Sequence, residues 1–135
     1  MRRNRHLRIE LTFYVIFCTH SKTPNAYRSL DEDIDANIIC TNELILSELL
    51  PLIRLKKENE LADILNTVNK LPLEINWEQI REYQLTNLRN GINKVGIPDL
   101  IIYQNAIATR STLLTLDKHF QLMANHISCK VELLC

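Results

Sequence analysis

A three-layer α/β/α sandwich built on a mainly parallel sheet follows from three features of this 135-residue chain. Apolar runs of strand length, FYVIFC at 13–18, ANIIC at 36–40 and TLLTL at 112–116, show no alternation of apolar and polar residues. That is the pattern of strands covered on both faces. Stretches with apolar residues at helical spacing separate these runs, and strands alternating with helices imply a parallel sheet with helices on either side. With only two glycines and four prolines, most of the chain is left to regular elements. One domain over 13–135 is expected, preceded by a basic, flexible arm over 1–12.

The first strand spans 13–18. Ser21, Lys22, Thr23 and Pro24 then form a turn and a helix start, with Thr23 as N-cap and Pro24 at the first helical position. This helix runs past Tyr27 and Leu30 into the acidic cluster of Asp31, Glu32, Asp33 and Asp35, and a second strand follows at 36–40. Leu46, Leu49, Leu50 and Ile53 give a helix over 42–53, which Pro51 should break or kink. Leu61, Ile64, Leu65 and Val68 mark another over 58–68, and LPLEI at 71–75 reads as a short strand. Asn76 caps the next helix, Gln79 completes a capping box, and Gly91 ends it as the C′ residue. Pro98 lies in the first turn of a helix that is apolar nearly all round from 100 to 108 and should therefore be deeply buried. A strand at 112–116, a short helix at 118–125 and a strand at 130–134 complete the chain.

An apolar content of 46% with 24% charged residues is that of a soluble globular protein. The formal charge is zero but unevenly placed. Arg2, Arg3, Arg5 and Arg8 crowd the first eight residues, which leaves 12 basic against 16 acidic side chains in the rest. The body is thus mildly acidic, and contact with a polyanion needs a local device such as bound metal ions or the basic arm. Cys18, Cys40, Cys129 and Cys135 lack zinc-site spacing, and a core of this size does not need disulfides, so reduced thiols and a cytoplasmic location are expected. The arginines followed by residues 11–18 imitate a signal peptide. Glu10 and Thr12 interrupt the pattern, no A-x-A site follows, and the run is far below the roughly 20 residues that cross a bilayer, so no membrane association is expected.

Three carboxylates sit where burial or a sheet edge is expected. Glu48 is on the otherwise apolar helix 42–53, Asp99 opens the most hydrophobic helix, and Asp117 directly follows TLLTL. Ligands of open parallel sheets bind beyond the carboxyl ends of strands, which is where Asp117 falls and where a helix N-terminus carrying Asp99 would face. Gathered carboxylates repel one another and are costly to desolvate, and a hard divalent cation offsets both penalties. Each residue also has a structural explanation: a solvated helix face for Glu48, a first-turn acid favoured by the helix dipole for Asp99, a turn residue for Asp117. His20 and His126 read as loop histidines, and Trp77 and Tyr83 as core or interface.

The stretch VGIPDLIIYQNAIA (95–108) resembles the PIN-domain signature in which a buried Asp opens an apolar helix. TLLTLDKHF (112–120) resembles the signature in which a strand ends in Thr-x-Asp with a Phe three residues on. ILSELL (45–50) is similar to the family helix whose Glu ligates metal. The resemblance covers about 34–134. It implies a metal-dependent endoribonuclease of the VapC type, the toxin of a type II toxin–antitoxin pair. Glu48, Asp99 and Asp117 would be its catalytic residues and ligands of Mg²⁺ or Mn²⁺, with Thr115 supporting the site by hydrogen bonding. It further implies an RNA substrate, a cognate antitoxin protein and a homodimer. The family pattern also places Asp straight after the first strand, where this chain has Cys18, Thr19 and His20, and His119 stands at an often acidic position. Two readings of the first departure are open: a non-catalytic PIN-like module that binds a protein partner, or a first segment of about twenty residues that is not the native start.

Overall fold

The apolar runs form short strands of one five-stranded sheet in the computed structural model of the protein, which describes residues 15–17, 39–115 and 117–133. The elements are β1 (Val15–Phe17), β2 (Ile39–Thr41), α1 (Glu43–Leu55), α2 (Asn59–Thr67), β3 (Asn69–Lys70), α3 (Trp77–Arg89), α4 (Ile97–Ala108), β4 (Thr112–Thr115), α5 (Lys118–Met123) and β5 (Val131–Leu133). The strand order is β3-β2-β1-β4-β5. Every residue of β2 and β4 is buried. Because successive side chains of a strand point to opposite faces, the sheet is covered on both sides there. The chain is an α/β protein, as its alternation of strands and helices predicts.

β2 is parallel to β3 and β4 to β5, while β1 is antiparallel to both β2 and β4. Four strands therefore share one direction, and β1 opposes them. The register pairs Phe17 with Thr112, the first residue of β4, and Val15 with Leu114. The chain thus leaves β1 at the edge where β2 and β4 begin. An apolar run without alternation carries no in–out pattern, so it does not encode the direction of the strand.

Several boundaries depart from expectation for identifiable reasons. The strand expected at 71–75 is instead the two-residue β3. The N–H of Leu71 still reaches the carbonyl of Thr41 at 2.7 Å, but β2 ends at Thr41 and gives way to α1 at Glu43, so the ladder has no strand to continue along. α1 runs through Pro51 to Leu55; the proline lies on the exposed face, where water can serve the carbonyl that its ring leaves unbonded. The capping box at α3 is half formed. Asn76 accepts from the N–H of Gln79 at 3.0 Å, but the N–H of Asn76 donates to buried Gln104 at 3.2 Å rather than to Gln79. Gln104 in turn donates to the Gln79 side chain at 2.7 Å and to the Asn76 carbonyl at 3.1 Å, tying α4 to the start of α3. Cys40 is disulfide-bonded, which corrects the expectation of reduced thiols at that residue. The expected helix beginning at Thr23 and the basic arm over 1–12 lie outside the described residues.

α4 is the core of the molecule. From Leu100 to Ala106 every side chain is buried, with Ile102 and Ala106 at 0% exposure and Ile101 at 6%. Its Tyr103 ring stacks on Phe120 of α5 at 6.1 Å and meets Tyr83 of α3 edge-on at 6.3 Å, so one aromatic residue locks three helices together. Asn105 extends the grip: its Oδ1 accepts from buried Asn42 at 2.7 Å, and its Nδ2 donates to the Pro72 carbonyl at 2.8 Å. Among the described residues no helix is long and apolar enough to cross a membrane.

Candidate metal centre at the carboxyl edge of the sheet

Connections fix where the three carboxylates fall. Glu48 lies in the second turn of α1, which follows the end of β2 after the single residue Asn42. Asn42 makes that tight turn possible. Its side chain accepts from the N–H of Ile45 at 2.8 Å, satisfying a helix-end donor, while its own amide is held by Asn105. Asp99 is in the first turn of α4, whose other end enters β4 after three residues. So short a return makes α4 run back along the sheet, with its N-terminus toward the carboxyl end of β4. Asp117 comes two residues after β4 ends. All three residues thus belong to the carboxyl edge of β2 and β4.

Glu48 and Asp99 interact directly in electrostatic terms. Burial and then the negative charge of Asp99 push the Glu48 carboxyl above its ordinary value. Both causes disfavour the ionised form, and both would be offset by a cation between the two groups. Thr41, the last residue of β2, adds a buried hydroxyl oxygen without a hydrogen-bond partner at this edge. Carboxylate oxygens are hard donors, and the Glu48 and Asp99 groups suit Mg²⁺ or Mn²⁺ rather than a soft metal.

Asp117 is committed differently. Its Oδ1 accepts from the N–H of His119 at 2.9 Å, capping α5, and lies 2.7 Å from His119 Nδ1. Its own N–H donates to Thr115 Oγ1 at 3.0 Å, so fully buried Thr115 closes the turn that presents it. Among the described residues no three His, Cys, Asp or Glu side chains are gathered closely enough to hold a metal ion. Glu48 thus feels the charge of Asp99, while Asp117 is bonded to His119. The reversal of β1 bears on the position after that strand, where the resemblance implies an Asp. Phe17 ends β1 beside the start of β4, at the edge opposite the carboxylates. Cys18 itself lies outside the described residues.

Sequence reasoning missed Asn42, Gln104 and Asn105, the buried amides that hold β2, α1, α3 and α4 in place. A signal was present: two consecutive amides inside the most apolar helix have to find partners. Trp77, expected in the core or an interface, is 53% exposed, and His126 lies at the surface.

Comparison with protein families matches residues 13–125 to the PIN domain. Comparison with curated proteins gives no match, and neither does comparison with solved structures. The matched segment spans most of the chain and runs from β1 through α5, taking in Glu48, Asp99 and Asp117 together with four of the five strands; the chain belongs to the PIN-domain family.

Proposed function

We propose that this protein is a metal-dependent endoribonuclease of the toxin kind, acting on RNA in the cytoplasm and restrained by a small antitoxin protein, with a homodimer as its working form. The observation that carries the reading is the Glu48–Asp99 pair, two mutually repelling carboxylates at the carboxyl edge of a PIN-domain sheet. Glu48 and Asp99 would hold Mg²⁺ or Mn²⁺, with Asp117 as the third acidic residue. A bound ion there supplies charge neutralisation for a phosphodiester and activation of water. The chain's own residues set the frame: Asn42 fixes the start of α1, Asn105 ties it to α4, and Thr115 orients the backbone that bears Asp117.

A second reading, a non-catalytic PIN module that binds a protein partner, draws on Asp117. With its Oδ1 taken up by the His119 backbone and ring, that carboxylate serves as a helix cap. A cleavage assay on single-stranded RNA with added Mn²⁺ separates the two. The nuclease reading expects cleavage that EDTA abolishes and that falls by about a hundredfold or more in Asp99→Asn, since losing a charge-stabilising group costs several kcal/mol of barrier. Absence of metal-dependent cleavage by the folded chain sinks that reading and leaves the binding module.

A further inference from the structure

Cys40, in the middle of β2, is disulfide-bonded and buried at 0% exposure, whereas Cys129 is a free thiol. The chain has four cysteines, so the partner of Cys40 is Cys18 or Cys135, both outside the described residues. The ladder decides between them. Cys40 pairs with Ile16, Ile16 with Leu113 and Leu113 with Val131, so Cys40 and Val131 stand in one row, three strand spacings apart. At about 4.8 Å per spacing that is about 14 Å, and Leu133, two residues further along β5, lies roughly 16 Å from Cys40. The two residues from Leu133 to Cys135 reach at most about 7 Å, which leaves the two Cα atoms about 9 Å apart, beyond the roughly 7 Å limit of a disulfide. Cys18 has no such gap to cross. It is one residue past Phe17, whose ladder partner is Ile39, the neighbour of Cys40.

The place of this bond in the sheet gives it leverage. β1 stands between the two parallel pairs, β3 with β2 and β4 with β5. It has only three residues, and its unbroken apolarity does not specify a register. A covalent tie from the exit of β1 to β2 pins both direction and register. It does so at the seam between β2, which leads to Glu48, and β4, which leads to Asp117. Where thiol reductants are present, a disulfide is as a rule transient and redox-sensing.

We infer that Cys18 and Cys40 form a redox switch that fastens the central strand in the sheet, with a dithiol as its reductant. Because Cys40 is buried at 0% exposure, a thiolate of the dithiol attacks the Cys18 sulfur. The S–S bond breaks, and Cys40 leaves as a thiolate and takes up a proton. The second thiolate of the reductant then displaces Cys18 from the mixed disulfide and closes the reductant's own disulfide. The protein's disulfide gains two electrons and two protons, and the dithiol loses them. β1 then keeps only its three-residue ladder and its packing. The switch does not depend on the nuclease reading.

The test joins peptide mapping to hydrogen exchange on the full chain purified without reductant. Alkylation after denaturation, without reduction, should leave the Cys18 peptide linked to the Cys40 peptide and label Cys129 and Cys135. Dithiothreitol should speed amide exchange across Val15–Phe17 by about tenfold or more, at the low end of what a cross-link of this kind contributes. Oxidised glutathione should restore the protection. Cys18→Ala should exchange fast with or without dithiothreitol, and Cys40→Ala should match it, so a packing defect at the buried cysteine cannot mimic the result. Cys129→Ala should respond as the parent does. A link from Cys40 to Cys129 or Cys135, or four labelled thiols in the oxidised chain, would overturn the pairing. Exchange at β1 unchanged by reduction, or a response to dithiothreitol that persists in Cys18→Ala, would overturn the switch.

Discussion

Glu48 illustrates how a single residue can carry a charge conflict that the fold tolerates. Its carboxyl is raised by partial burial and by Asp99, so ionising Glu48 costs more in the folded protein than in the unfolded chain. The sign follows from linkage. A folded-state value above the unfolded one means that protonation favours the folded state, and the stabilisation gained in acid is lost as pH rises through the raised value. In metal-free buffer, Glu48→Gln should therefore be at least as stable as the parent at pH 7. The difference should shrink as pH falls through the raised Glu48 value and vanish below the ordinary 4.5. Thermal melts of both proteins between pH 4 and 8 check this. A variant that is clearly less stable at pH 7 would mean that the Glu48 charge is held by a favourable partner and that repulsion from Asp99 does not dominate. Asp117 shows the opposite economy, since one oxygen both caps α5 and bonds the His119 ring.

Helix ends account for much of the design at the scale of elements. α1, α3 and α4 all stop in the same way. A left-handed residue follows the cap, and its own N–H and that of the next residue close back onto the last turn, with Lys57, Gly91 and Arg110 at the left-handed position. Only Gly91 suits that backbone without strain. Lys57, at φ +58°, is exposed, so Lys57→Gly should stabilise the protein by about 0.5–1 kcal/mol, the usual difference between glycine and a non-glycine residue in this conformation. Chemical denaturation reads the change, and destabilisation would show that the lysine side chain makes contacts outweighing backbone strain. The core helix offers the complementary test. Ile102→Ala removes a fully buried side chain from the middle of α4 and should cost about 2–5 kcal/mol. A loss under about 0.5 kcal/mol would be the behaviour of a surface position.

These elements also show which features were legible in the chain. The burial of α4, the cap at Asn76 and the left-handed Gly91 could be read because each is written locally, in apolar residues on every face, an amide before a helix, and a glycine after one. The direction of β1 could not, since an apolar run without alternation reads the same in either orientation. Nor could the continuation of α1 through Pro51, which depends on that proline facing solvent. The replacement of Gln79 by Gln104 at the start of α3 was illegible because the two residues are far apart in sequence. The carboxylates were legible as positions and less so as a cluster. Spacing placed Glu48, Asp99 and Asp117 at one edge, but it did not contain the hydrogen bonds that engage Asp117 with His119.

For the whole molecule, the sheet divides chemistry between its two ends. The carboxyl edge of β2 and β4 bears the Glu48–Asp99 pair and Asp117, while the amino edge of β4 and β5 bears Arg110 and Lys130. With β1 opposing its neighbours, the chain leaves that central strand at the basic end. Binding of a divalent ion by the Glu48 and Asp99 carboxylates is read most directly by electron paramagnetic resonance of Mn²⁺ titrated with the protein, in which free aqueous ion gives a six-line signal that is lost on binding. The parent chain should remove the signal with a stoichiometry of at least one ion. Glu48→Gln and Asp99→Asn should each weaken binding by about tenfold or more, because affinity at oxygen sites follows the number of charged ligands. Persistence of the free signal with the folded parent, or equal binding by both variants, would contradict the assignment of Glu48 and Asp99 as the metal-holding pair.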